Sequence, residues 1–118
     1  MDSSPPSDQY LIVATAQLIA YSTAFDLQDD ENSIDVRFEV LQVTPLVDAI
    51  DVWIEQSIDG GEWHETDRLS EIPVAVGDNG GITSSPLAGG LARFGLSVFS
   101  QASEGEVILG ALVNLLRR

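Results

Sequence analysis

The chain has 118 residues, 44% of them apolar, and sets 19 acidic residues against five arginines and no lysine, for a formal charge of −14. That length suits one domain, and that apolar share suits a buried core, unlike a disordered polymer. The charge repels phosphate backbones and anionic lipid surfaces, so nucleic acid and membranes are not expected as partners, and a solubilising coat or a salty medium accounts for it.

No cysteine is present. Disulfides and thiolate metal sites therefore contribute nothing, and the redox compartment is not legible.

Residues 1–8, "MDSSPPSD", hold two prolines and three serines without apolar periodicity, which predicts a flexible arm ahead of a single domain over 9–118. The apolar run Tyr10 to Tyr21 follows an acidic segment and falls short of the roughly 20 residues a membrane-spanning helix needs. It reads as one strand buried mainly on one face, with a helix as the runner-up. Next, Asp26, Asp29, Asp30, Glu31 and Asn32 gather oxygen donors suited to calcium, but their spacing is not that of an EF-hand loop. An exposed acidic turn is the expectation, with no metal or other cofactor.

In "SIDVRFEVLQV" Ile34, Val36, Phe38 and Val40 share one face while Asp35, Arg37 and Glu39 share the other, the period of two of a half-wet strand. Beyond Val40 the phase slips, which predicts a bulge or a crossing between sheets. "AIDVWIEQS" repeats the alternation, with Ile50, Val52 and Ile54 inward and Asp51, Trp53 and Glu55 outward. It runs into "SIDGGEWHE". There Asp59, Gly60 and Gly61 are expected to supply the positive backbone angles of a hairpin tip, and "EWHETDRL" the return strand.

"EIPVAV" reads as a short strand that Pro73 confines to an edge or an end. Five glycines between Gly77 and Gly90 predict a long loop, a segment suited to partner contact. "LARFGLSVFS" puts Phe94, Leu96 and Val98 on one face. In the closing "GEVILGALVNLL", Val107, Leu109, Ala111, Val113 and Leu115 alternate with Ile108, Leu112 and Leu116. A strand apolar on both faces lies between two layers or under another subunit. A helix starting near Glu104 is the competing assignment.

Seven or eight short strands separated by turn signals predict an all-β fold, a two-layer antiparallel β-sandwich with a jelly-roll-like order. Enzyme chemistry is hard to assemble from this chain. His64 is its single histidine, no serine sits in a nucleophile elbow, and neither Gly-rich stretch has the setting of a phosphate cradle. No catalytic residue is assigned. Trp53, Trp63 and Tyr21 are the aromatics a carbohydrate-binding module would use for stacking, which makes glycan binding the alternative function. A turn whose Trp63 packs at the sandwich edge explains the same residues without a ligand.

Ser57, Asp59, Gly61 and Trp63 resemble the Asp-box hairpin, Ser-x-Asp-x-Gly-x-x-Trp, with the tryptophan one residue early. The resemblance implies a structural corner and no active site. Glu55, Ser57, Asp59, Gly60 and Trp63, with the layout of the strands around them, also resemble small structural proteins of tailed phages and prophages. That likeness implies a non-enzymatic virion component, a capsid decoration or a tail or connector piece, located in the virion and built into a larger assembly. Homo-oligomerisation through Trp53, Trp63, Ile108, Leu112 and Leu116 is the corresponding expectation.

Overall fold

The structure is a computed structural model in which residues 8–27, 33–69, 72–84 and 90–116 are described. These residues form an all-β, two-layer antiparallel sandwich of nine strands: β1 (Asp8–Thr15), β2 (Ile19–Tyr21), β3 (Phe25–Leu27), β4 (Ser33–Val43), β5 (Ala49–Ser57), β6 (His64–Leu69), β7 (Gly77–Ser84), β8 (Gly90–Phe99) and β9 (Glu106–Leu116). One sheet has the order β1-β9-β4-β7. The other has the order β2-β8-β5-β6, with β3 continuing the pairing of β2 along β8. If β2 and β3 count as one broken strand, the first strand pairs with the last, the second with the last but one, and so on inward. That nested order is the jelly roll.

The core follows from the period of two. Ile34, Val36, Phe38 and Val40 of β4 and Val107, Leu109, Ala111 and Val113 of β9 face Ile50, Val52 and Ile54 of β5 and Phe94, Leu96 and Val98 of β8, all of them buried. Aromatic rings tie the two layers together: Tyr10 stacks on Phe25 at 5.0 Å, and Phe38 meets Phe94 edge-on at 5.7 Å. Such contacts contribute roughly 0.5–1.5 kcal/mol each beyond their area. The phase slip after Val40 is a register shift between Val40 and Gln42 in the pairing of β4 with β9.

Four expectations need correction. The run from Tyr10 to Tyr21 is two strands in different sheets, broken at Ala16–Leu18 where Gln17 takes a φ of +67°. The Gln17 amide donates to the Val98 carbonyl at 2.8 Å, and its side-chain Oε1 accepts from the Ser100 amide at 3.1 Å, so the corner is held from β8. Apolar alternation runs unbroken through that corner, and a left-handed residue other than glycine gives no local signal. The stretch 72–76 pairs as no strand; Ile72 is buried, and Pro73 has no amide to give a ladder.

The third correction concerns the expected loop 77–90, which is in large part the edge strand β7. A Cβ on Gly81 would sit 2.6 Å from the Val36 carbonyl oxygen, so the missing side chain is what lets β7 close on β4. Residues 85–89 lie outside the described residues. Fourth, only Gly60 has a positive φ, +85°, among Asp59, Gly60 and Gly61. Of the expected arm, residues 1–7 lie outside the described residues, and Asp8 already opens β1. The C-terminal helix alternative is replaced by β9, and among the described residues there is no helix.

Candidate functional site

Two outward surfaces carry the residues the sequence singles out. On the β5–β8 face, cross-strand register sets Glu55 opposite Arg93 and Trp53 opposite Gly95, and sets Tyr21 of β2 on the other side of Gly95. Trp53 points outward as the alternation requires, yet only 4% of it is exposed. Its indole lies over Gly95, where even a Cβ would collide with the ring. Arg68 of β6 covers the ring from above at 4.5 Å, and the indole Nε1 donates to Glu55 Oε2 at 2.7 Å. The glycine in the middle of β8 was the available signal for this close approach.

Glu55 organises the rest of the surface. Its Oε1 accepts from both Nη2 (2.8 Å) and Nε (2.9 Å) of Arg93. The guanidinium is held between the rings of Tyr21 at 3.9 Å and Trp63 at 4.2 Å. Arg68 forms a two-pronged pair with Glu65, at 3.1 and 2.8 Å. That bond holds the Glu65 carboxyl below its usual range, with the charge of the guanidinium adding to it, and raises Arg68. The sequence reading missed Arg68 and Arg93 altogether. Opposite charges placed directly across a strand pair become visible only once the register is known.

The hairpin supplies Trp63 to this cluster. The Gly60 amide donates to Ser57 Oγ at 2.8 Å and the Gly61 amide to Asp59 Oδ1 at 2.9 Å, as an Asp-box-like corner requires. The Gly61 amide is the main reason the Asp59 carboxyl lies below its ordinary value. Chemically the arrangement fixes a turn and lays Trp63 onto Arg93. The ring faces expected for sugar stacking are in part already taken: Trp53 is buried, and Tyr21 and Trp63 each have Arg93 on one face. His64 is exposed on β6, 4.0 Å from Glu62.

The outer face of the β1–β9–β4 sheet is different. Leu11 and Val13 of β1 are 62% and 54% exposed, and Leu112 of β9 is 43% exposed, beside half-buried Ile108 and exposed Leu41. Leu11 lies across from Gly110 and Val13 across from Ile108, so these side chains form one patch. A notch of about 360 Å³, lined by Gln9, Arg37, Glu39 and Leu112, opens at Gly110. Leu116 closes β9, but its side chain lies outside the described residues. The structure thus separates the expected contact residues: Ile108 and Leu112 belong to this patch, Trp53 and Trp63 to the opposite side of the sandwich.

Of the proposed calcium donors Asp26 alone is described, exposed on β3; Asp29, Asp30, Glu31 and Asn32 lie outside the described residues. Among the described residues no three His, Cys, Asp or Glu side chains converge on a common point suited to a metal ion. No helix among them is long and apolar enough to cross a membrane, which says nothing about membrane β-barrels.

No family model matches the sequence, and no curated protein matches it. Solved structures do resemble the fold. The Yersinia pseudotuberculosis-derived mitogen superposes with a TM-score of 0.51 at 10% identity, over 96% of this chain and 88% of that one. A family GH115 4-O-methyl-α-glucuronidase with specificity for decorated arabinogalactans matches at 0.47 and 16% identity, over 89% of this chain and 14% of that one. The structure of infectious bursal disease virus Gx strain matches at 0.41 and 10% identity, over 99% of this chain and 40% of that one. At such identities the likeness to the mitogen establishes shared architecture only, and the other two are weaker still. A viral protein and a bacterial mitogen thus stand among distant structural neighbours, and no sequence family accompanies them.

Proposed function

We propose that this chain is a non-enzymatic structural subunit that assembles with copies of itself, as a component of a phage-type virion. The observation that carries the proposal is the apolar outer face of the β1–β9–β4 sheet. Leu11, Val13, Leu41 and Leu112 stand in water together on a chain whose formal charge is −14. Clustered apolar side chains on a soluble domain mark contact surfaces, whereas isolated ones need no explanation. The hairpin's likeness to tailed-phage structural proteins supports the virion setting. A small sandwich stiffened by the Glu55 network on its other face suits a lattice piece whose work is to hold shape.

The test is molar mass by light scattering, from micromolar to hundred-micromolar concentration, at low and at molar sodium chloride. Copies of strong like charge repel, and salt shortens the range of that repulsion from about 30 Å at 0.01 M to about 3 Å at 1 M. The expected result is a mass that rises with both concentration and salt. A chain that stays monomeric across the whole grid removes the proposal.

A further inference from the structure

The four sheet edges of the sandwich differ in how they treat an approaching strand. On β6, "HETDRL", four of six residues carry acidic or basic side chains and Glu65 and Arg68 are paired across its surface, which disfavours extension. β7 contains Gly77, Gly80 and Gly81, and its register with β4 shifts between Arg37 and Glu39. The fourth edge is broken into the three-residue strands β2 and β3. Charge, irregular register and short length are the devices by which sheets blunt their edges.

β1 has none of them. It is eight residues long, keeps an unshifted register with β9 from Asp8 to Thr15, and carries no proline, glycine or basic residue. Asp8 is its single charged residue; the next acidic residue in the chain is Asp26. No strand among the described residues lies on its far side. It also bears the two most exposed members of the apolar patch, Leu11 and Val13.

We propose that β1 pairs antiparallel with β1 of a second copy about a two-fold axis, joining two four-stranded sheets into one of eight. This rests on the self-assembly reading above and specifies its contact. Charge favours this partner at this place, because in a chain that repels its copies the strand with one terminal charge is where two copies approach at least cost. An axis normal to the sheet keeps both core faces on the same side.

Residues directly opposite in an antiparallel pair point to the same face, so the register must match outward residues with outward ones. Placing Ile12 on the axis sets Leu11 against Val13 of the copy twice, which covers both exposed side chains. An edge of about 26 Å contributes less area than a permanent dimer requires, so the pairing is reversible and strengthens with salt.

The experiment uses the full chain. Val13→Lys places a charge on an already exposed position, and its circular dichroism and melting temperature should match the parent. Its mass should fall to monomer under conditions where the parent associates. Because the chain lacks cysteine, Leu11→Cys and Val13→Cys can be mixed under oxidised glutathione. The mixture should form cross-linked dimers, and each variant alone should form few. A parent that associates while Val13→Lys keeps the same mass, or while the mixture fails to cross-link above the single variants, overturns the β1 contact and leaves self-assembly standing. A parent that never associates overturns both.

Discussion

The two outer faces of this sandwich solve opposite problems with the same alternation. On β5 and β8 the outward positions Trp53, Glu55 and Arg93 each meet a counterpart, indole on glycine, guanidinium between two rings and carboxylate on two donors, while Phe99 at the end of β8 stays exposed. On β1 and β9 the outward positions hold Leu11, Val13 and Leu112, which meet water. The centre of one face is therefore tied together within the monomer. The other leaves its apolar side chains exposed, which is the contrast that the proposed self-assembly rests on.

The sharpest way to break that contrast is Gly95→Val. The added side chain occupies the space of the Trp53 indole, and since Trp53 also anchors Glu55 and Arg68, the whole surface must shift. Overpacking of this kind costs about 3 kcal/mol, some 12 °C in melting temperature for a domain of this size. Tryptophan emission should move to the red as the ring enters water. An unchanged melt with unshifted emission would mean that the indole is not seated on the glycine.

A smaller loss is expected from Glu55→Ala. It leaves the Arg93 guanidinium and the Trp53 N–H without their acceptor, in a place where the carboxylate is 12% and the guanidinium 23% exposed. Removing one partner of a fully buried pair costs several kcal/mol; partial solvation lowers this to about 2 kcal/mol. Urea unfolding should show the midpoint falling, with Glu55→Gln in between because it keeps one acceptor. A midpoint equal to the parent's would reduce the network to surface decoration. Neither substitution should change the association proposed for β1.

How much of this was legible beforehand differs between the faces for a physical reason. Burial on one side of a strand writes itself into the sequence with a period of two, so Ile34 to Val40, Ile50 to Ile54 and Phe94 to Val98 were assigned to the core correctly. The long apolar runs at both ends of the chain point to the jelly-roll order, which the pairing of β1 with β9 carries. Cross-strand chemistry leaves no such trace. Glu55 and Arg93 are 38 residues apart in the chain and meet only through the register of β5 with β8. The turn at Gln17 and the glycine-bearing edge β7 were hidden for the converse reason: their local sequences imitate a continuous strand and a loop, and tertiary pairing decides between them.

The smallest expected effect is acid sensitivity, and it too belongs to the side of the sandwich that carries the Glu55 network. The Asp59 carboxyl is lowered chiefly by the Gly61 amide and the Glu65 carboxyl chiefly by its bond to Arg68. As pH falls, these groups take up protons in the unfolded chain before they do so in the folded one, so stability is lost. The contribution is complete above the ordinary carboxylate range and fades as pH drops through the lowered folded values. Both groups are largely solvated, so only a slight fall in melting temperature is at stake. Asp59→Asn keeps an acceptor for the Gly61 amide but does not titrate, so its melting temperature should lie a little below the parent's at pH 7 and converge with it at about pH 2. A gap that persists unchanged into acid would place the stabilisation in the turn's geometry and not in the carboxylate's charge.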